Sequence, residues 1–211
     1  MKSVAIHNLV LICAGTFLGA FTIAGADAAP VVTPMPPDPA VTPPAVWVDD
    51  YTIVAAPGDL PVSFEIPVHI DTGSVPIVAY DLQVEIGDPT IVAIVGCTGG
   101  DFLSNPFAVV SECTGPGGAR IAELDNDFVD LSGTGILAVF SLEALAPGST
   151  EFNFVLRPGF ETLTNTGAEI LDPLYNFRGG AIDVVIPEPA SLALIAVPLA
   201  GLRALRKRQR C

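Results

Sequence analysis

The chain has 211 residues and a formal net charge of −14 at pH 7, with 9 basic residues against 23 acidic ones. Between residues 30 and 186 the imbalance is greater, with 3 basic and 21 acidic residues and a formal charge of −18. A surface this acidic repels phosphate groups and anionic lipids, which excludes nucleic acid as a partner of this part of the chain.

The N-terminal segment has the organisation of a secretory signal. Lys2 precedes an apolar run over residues 9–24, and small residues follow at Ala26 and Ala28. Alanines three residues and one residue before the cleaved bond are typical of signal peptidase substrates. The sequence therefore predicts a signal peptide over residues 1–28, cleaved after Ala28, and an exported protein.

Residues 29–46 are predicted to be a proline-rich linker. So many residues without a backbone N–H disfavour helix and sheet, and we expect an extended polyproline II spacer. The seven prolines are Pro30, Pro34, Pro36, Pro37, Pro39, Pro43 and Pro44.

Two segments then alternate between apolar and polar residues. Apolar side chains occupy every second position over residues 62–70 and again over residues 78–86. This period of two predicts β-strands with one buried and one solvated face. Pro67 cannot donate to a neighbouring strand, so the first strand is predicted to lie at a sheet edge or to be broken there.

Shorter β-type runs continue along the chain, separated by glycine and proline turns. They cover residues 91–95, 107–110, 119–124, 136–142, 152–156 and 181–186. No amphipathic helical pattern longer than a turn or two accompanies them. About eight to ten short strands with such turns predict a single all-β domain, a β-sandwich, over residues 47–186.

Two cysteines lie within this predicted domain, Cys97 and Cys113. Export exposes a protein to oxidising compartments, where two cysteines in one domain usually pair. We therefore expect a disulfide between them, and the alternative is a pair of buried free thiols.

Several turn and strand motifs resemble those of cohesin domains. They are the Ala-Pro-Gly-Asp turn at 56–59, the strands at 62–70 and 78–82, the strand with Gly-x-Leu-Ala-x-Phe at 133–142, and the turn at 146–150. The resemblance implies a jelly-roll sandwich of about nine strands that binds a dockerin-like protein. Because the cohesin fold is related to carbohydrate-binding modules, the alternative is a module that binds exopolysaccharide.

No catalytic motif occurs in the chain, and the sequence predicts a protein that is not an enzyme. His69 lies on the polar face of its predicted strand, which is typical of a solvated structural residue. Closely spaced carboxylates around one predicted turn could hold Ca²⁺, and a solvated loop is the competing interpretation. These carboxylates belong to Glu123, Asp125, Asp127 and Asp130. No other metal or cofactor is predicted.

A glycan site would need an exposed aromatic platform. Trp47 is the single tryptophan and lies at the edge of the predicted domain. For the aromatic residues outside the alternating patterns, exposure and core packing remain open alternatives. They are Tyr51, Phe102, Phe107 and Tyr175.

The C-terminal residues 187–211 combine three features. Pro187, Glu188 and Pro189 precede an apolar segment over residues 190–202, and an arginine-rich end follows. This arrangement resembles the PEP-CTERM sorting signal of Gram-negative bacteria, which implies that a membrane exosortase recognises Pro-Glu-Pro and removes the tail. The apolar segment has 13 residues, about 20 Å as a transmembrane helix, which is short for a hydrocarbon core of roughly 30 Å. We expect transient insertion into the inner membrane, with a permanent anchor as the alternative, and a product at the cell surface or in the extracellular matrix.

Overall fold

The computed structural model describes residues 29–37, 40–156 and 162–187, which form two sheets packed face to face. The predicted signal cleavage residues Ala26 and Ala28 lie outside the described residues, as do Glu188 and Pro189, while Pro187 is the last described residue. The signal peptide and the sorting signal therefore stay predictions. Within the described ranges no helix is long and apolar enough to cross a membrane.

The described residues form thirteen strands and one short 3₁₀ helix. The strands in the first half of the chain are β1 (Val31–Met35), β2 (Ala45–Trp47), β3 (Asp50–Val54), β4 (Val62–Asp71), β5 (Ala79–Ile86) and β6 (Val92–Gly99). Those in the second half are β7 (Pro106–Gly115), β8 (Gly118–Asp125), β9 (Thr134–Ala144), β10 (Gly148–Phe154), β11 (Leu163–Thr164), β12 (Asn176–Arg178) and β13 (Gly180–Val185). The 3₁₀ helix covers Asp172–Leu174.

The strands divide into an eight-stranded sheet A and a five-stranded sheet B. Sheet A has the order β1-β3-β13-β10-β5-β8-β7. The eighth strand, β11, pairs with β5 and is not part of this order. Sheet B has the order β12-β2-β4-β9-β6. Apolar side chains from the two inner faces fill the space between the sheets. Phe140 and Phe152 meet there edge to face, with ring centroids 5.4 Å apart.

The alternating segments form the strands that their pattern predicts. In β4 and β5 every second side chain is buried against the opposite sheet. The other predicted segments also become strands, although β6 and β7 extend further than predicted, and the pattern misses the short strands β3, β11 and β12. The predicted all-β sandwich is confirmed, with more strands than the nine that the resemblance implies.

The prediction that residues 29–46 contain no sheet structure is wrong in two places. Val31–Met35 pairs antiparallel with β3, and Ala45–Trp47 joins sheet B beside β4. Pro34 is tolerated because β1 is the edge strand of sheet A, where one side of the backbone has no strand partner. The folded domain therefore begins before residue 47.

Pro67 lies in the middle of β4. Strand β9 pairs with β4 along its whole length, whereas β2 pairs only with the stretch from His69 to Asp71. The first part of β4, including Pro67, is therefore a sheet edge, as the sequence predicts. The ladder with β9 shifts register immediately afterwards, between Val68 and His69.

The predicted disulfide between Cys97 and Cys113 is present, with the two Cα atoms 5.4 Å apart. Cys97 belongs to β6, the edge strand of sheet B, and Cys113 belongs to β7, the edge strand of sheet A. The bridge therefore joins the two sheets along one side of the sandwich.

Candidate functional site

The solvent-facing surface of β10, β11, β5, β8 and β7 in sheet A, together with Ile170 beside β11, is called the outer face below. Because side chains alternate along a strand, Tyr80 and Ile121 are buried and their neighbours project outward. Residues directly opposite each other on paired strands project from the same side of the sheet. The strand register therefore arranges the outer face into rows that run across the strands.

The first of these rows is mostly apolar, and we call it the apolar row. Its members are successive partners in the register, Phe107, Leu124, Ala79, Thr164 and Ile170. The two ends are the most exposed, with 56% of Phe107 and 49% of Ile170 accessible to solvent. Exposed apolar side chains in a continuous row are typical of a surface that a partner covers.

The polarity of the outer face rises in the next two rows. They consist of Val110, Ala122 and Asp81, and then of Glu112, Arg120 and Gln83. Arg120 Nε donates to Asp81 Oδ1 at 2.8 Å, and the guanidinium also contacts Asp81 Oδ2. The hydrogen bonds to Asp81 are the main reason that the pKa of Arg120 is raised. The Arg120 guanidinium therefore keeps its positive charge at every physiological pH.

Beyond these rows the outer face is acidic. Glu85 and Glu151 are exposed, and Asn153 lies opposite Glu85 in the register. Among the described residues of this face Arg120 is the single basic side chain, and Asp81 neutralises it. The outer face is therefore apolar at the end that carries the apolar row and negatively charged at the end that carries Glu85 and Glu151.

Asp125 holds two loops beside the apolar row, an arrangement that we call the Asp125 clamp. Its Oδ2 accepts hydrogen bonds from Ser104 N at 3.0 Å, Ser104 Oγ at 2.9 Å and Asn105 N at 3.1 Å, and its Oδ1 accepts one from Asp127 N at 2.9 Å. The side chain is inaccessible to solvent although it lies close to the protein surface. Burial raises the pKa of Asp125, but the hydrogen bonds outweigh burial and the pKa is lowered. The clamp fixes the loop before β7 to the loop after β8.

The loop after β8 adds exposed apolar surface at the same end of the sandwich. Phe128 is 63% exposed and Val129 is 52% exposed. Phe128 has φ +50°, a left-handed conformation that residues other than glycine rarely adopt. Asp130 accepts hydrogen bonds from Thr166 N at 2.8 Å and Thr166 Oγ1 at 2.9 Å, which ties this loop to the loop that carries Ile170. Such strain in an exposed, well-held loop is typical of functional surfaces.

The four acidic residues of the predicted calcium site do not converge. Glu123 points into the core, Asp125 forms the clamp, Asp130 binds the neighbouring loop and Asp127 projects into solvent. Throughout the described ranges no three histidine, cysteine, aspartate or glutamate side chains lie close enough to hold a metal ion. The competing interpretation of a solvated loop fits the exposed Asp127 and Asp130, and it is wrong for Glu123 and Asp125, which are buried.

Glu123 instead takes part in a polar bridge between the sheets. The Tyr80 hydroxyl lies 2.7 Å from Glu123 Oε2 and 2.6 Å from the Leu137 carbonyl oxygen in sheet B. Burial, with a smaller contribution from Glu123, raises the pKa of the Tyr80 hydroxyl. Gly99 in β6 leaves the space that the Glu123 carboxylate fills, since a Cβ at this position would collide with it. This bridge supports the inner side of the sheet whose outer side carries the apolar row.

His69 and Trp47 lie together on the solvent-facing side of sheet B. Their rings stack with centroids 5.3 Å apart and planes inclined by 23°, and His69 Nε2 is 3.8 Å from Asp49 Oδ2. Both residues are half-buried. The stacking covers part of the Trp47 ring, and the rest of the ring remains partly exposed.

The other aromatic residues left open by the sequence divide into two groups. Tyr51 and Tyr175 are buried and Phe102 is half-buried, so for these three core packing is correct. Phe107 is exposed. The sequence places Phe107 in a short predicted strand. Only its register position opposite Leu124 shows that its side chain belongs to the outer face.

No protein-family profile matches the chain, and no curated protein matches it in sequence. The fold is similar to that of the non-cellulosomal cohesin from Archaeoglobus fulgidus, with a TM-score of 0.52 and 15% identity over 71% of this chain and 96% of that chain. The fold of this chain is cohesin-like. A second similar structure is a chain of a type II cohesin–X-dockerin complex from Acetivibrio cellulolyticus, with a TM-score of 0.53 and 16% identity over 67% of this chain and 99% of that chain. The resemblance found in the turn and strand motifs is thereby confirmed at the level of the cohesin-like fold.

Proposed function

We propose that this protein is a non-enzymatic binding module whose outer face docks a protein partner of the dockerin type. The observation that carries the proposal is the apolar row, a continuous and partly exposed strip on a face whose far part is acidic. The cohesin-like fold supports the same class of function, since the similar Acetivibrio cellulolyticus structure is a complex of a cohesin with a dockerin.

The apolar and acidic parts of the outer face indicate which side chains a partner should present. The apolar row fits an apolar stripe of similar length, and apolar anchors near the centre of an interface contribute most of the affinity. The acidic part of the face fits lysine and arginine side chains at the rim, which act mainly on the association rate. We therefore expect a partner with an apolar stripe bordered by basic residues, and an association rate that falls as the salt concentration rises.

The test uses the exported protein as a bait for proteins secreted by the same organism, in three matched forms. The wild type and the control variant Val95→Ser should retain the partner, because Val95 is an exposed apolar residue of β6 in the other sheet. The variant Phe107→Ser should lose the partner, and a titration with the purified partner should show at least a tenfold weaker affinity. Equal retention by all three forms would contradict the proposal.

The carbohydrate alternative gives a different result in the same experiment. Retention of the wild type on the organism's exopolysaccharide, unchanged by Phe107→Ser and lost on Trp47→Ala, would favour a carbohydrate-binding module. Loss of retention on Trp47→Ala must be accompanied by an unchanged melting temperature, because Trp47 also packs on His69.

We further propose that the module is exported and sorted by its C-terminal signal to the cell surface or the extracellular matrix. The support is the sequence alone, namely the predicted signal peptide and the resemblance of residues 187–211 to a PEP-CTERM signal. Intact-mass measurement of the mature protein should find an end near residues 187–190. A surface form that still carries Cys211 would show that the tail is a permanent anchor, and replacing Pro187 and Pro189 by alanine should leave the full chain in the inner membrane.

A further inference from the structure

Strand β1 is attached to sheet A more through its backbone than through its side chains. Its five residues pair in antiparallel register with β3, from Val31 opposite Val54 to Met35 opposite Asp50. Four of the five side chains are exposed, and Val32 alone is half-buried against the core. Release of β1 would therefore uncover little apolar surface, and segments of this kind are the first to open in a folded protein.

The connection that follows β1 crosses from sheet A to β2 in sheet B. It consists of nine residues of which five are prolines, Pro36, Pro37, Pro39, Pro43 and Pro44. Proline-rich sequences are stiff and favour extended conformations, so they can hold a strand away from its own domain. The predicted signal cleavage leaves only Ala29 and Pro30 before β1, so the strand can withdraw without threading through the fold.

Withdrawal of β1 would leave β3 as an open sheet edge. Strand β3 would stay in place, because Tyr51 and Ile53 are buried in the core and β13 pairs with its other side. An open edge of this kind accepts another strand. The strand that matches it best is a β1 segment, since this restores Val32 opposite Ile53 and every other pair of the register.

We infer that β1 exchanges between two copies of this chain, with the β1 of each copy paired to the β3 of the other. The exchanged contacts are the same as those within one chain, which makes exchange a low-cost route to a two-fold dimer. Reciprocal exchange fills both edges at once. Because each β1 fills the β3 edge that the other copy leaves, the closed assembly contains two copies.

The experiment introduces cysteines at Thr33 and Thr52, which are direct register partners, in the exported full chain with Cys13 and Cys211 replaced by serine. Paired antiparallel positions have Cα separations that suit a disulfide. One chain carries Thr33→Cys and the other carries Thr52→Cys, and the two are co-expressed and oxidised. We expect a covalent heterodimer that reducing agent separates into single chains.

The matched control replaces the second chain by one with Glu85→Cys, an exposed position on β5 that is far along the sheet from β3. Exchange predicts at least tenfold more heterodimer for the Thr52 chain than for this control. Equal amounts would overturn the inference, as would a Thr52→Cys chain bonded to a different protein. A single chain with both Thr33→Cys and Thr52→Cys must form the bridge internally or in an exchanged dimer, and failure to form either would refute the β1–β3 register itself.

Discussion

The two edges of sheet A are protected in different ways. At one edge β7 is bonded to sheet B through Cys97 and Cys113, and the Asp125 clamp fixes the loops on either side of the β7–β8 hairpin. At the other edge β1 is held by pairing with β3 and by the half-buried Val32. The β7 edge is covalently closed, whereas the β1 edge is held by noncovalent contacts alone.

This difference keeps the proposed binding face apart from the strand that we propose to exchange. The apolar row begins at the closed edge with Phe107 and runs across the sheet to Ile170. On the proposed function, a partner would meet side chains that are already held in place at the closed edge, and preorganisation reduces the entropic cost of binding. The β1 edge carries no part of the apolar row. The proposed exchange of β1 would therefore join two copies without disturbing the proposed binding face.

The largest expected effect comes from removing the Asp125 clamp. Asp125→Ala leaves several backbone and hydroxyl donors without their carboxylate, and we expect the free energy of unfolding to fall by about 4 kcal/mol. Urea denaturation of this variant measures the loss. The control Asp127→Ala keeps the clamp and should change stability by no more than roughly 0.5 kcal/mol. Similar values for both variants would show that Asp125 does not secure this edge.

The disulfide gives the next largest effect at the same edge. Cys97 and Cys113 are 16 positions apart in the chain, and a bridge over a loop of this size contributes about 3 kcal/mol by restricting the unfolded chain. Replacing both cysteines by serine should therefore lower the free energy of unfolding by about this amount. Reduction of the wild type should give the same loss, and a double variant as stable as the oxidised wild type would contradict the prediction.

The stability that the Asp125 clamp contributes should depend on pH. Because the pKa of Asp125 is lowered in the folded state, its contribution is complete above the unfolded pKa of about 3.9 and is lost as the pH falls through the folded value. The stability difference between the wild type and Asp125→Asn should be constant from pH 7 to pH 5 and shrink below pH 4. Denaturation curves at each pH measure this difference, and one that stayed constant down to pH 2 would be contrary to the expectation.

The smallest effect is expected at the β1 edge. Val32→Ala removes two methyl groups from a half-buried position, and we expect a loss of no more than about 1 kcal/mol. Val31→Ala, at an exposed position of the same strand, is the matched control and should leave stability unchanged within error. A loss from Val32→Ala as large as that from the disulfide variant would mean that β1 is an integral part of the core and does not open easily.

Much of the core architecture could be predicted from the sequence. The alternation in residues 62–70 and 78–86 fixes which side chains of β4 and β5 are buried, because the period of a strand is set by its backbone alone. The cysteine pair follows from export and composition. The prolines of residues 29–46 indicated a linker, and this was wrong for β1 because Pro34 is unfavourable only inside a sheet, whereas β1 is an edge strand.

The candidate site depends on tertiary structure. The sequence by itself determined the acidity of the chain, the strands that its alternating pattern marks, and the presence of carboxylates at positions 123, 125, 127 and 130. The tertiary structure alone decided that Asp125 is a clamp, that Glu123 is buried beside Tyr80, and that Phe107 and Ile170 end one row. The reason is that hydrogen-bond partners and row neighbours come from distant parts of the chain, and only the register of the paired strands brings them together.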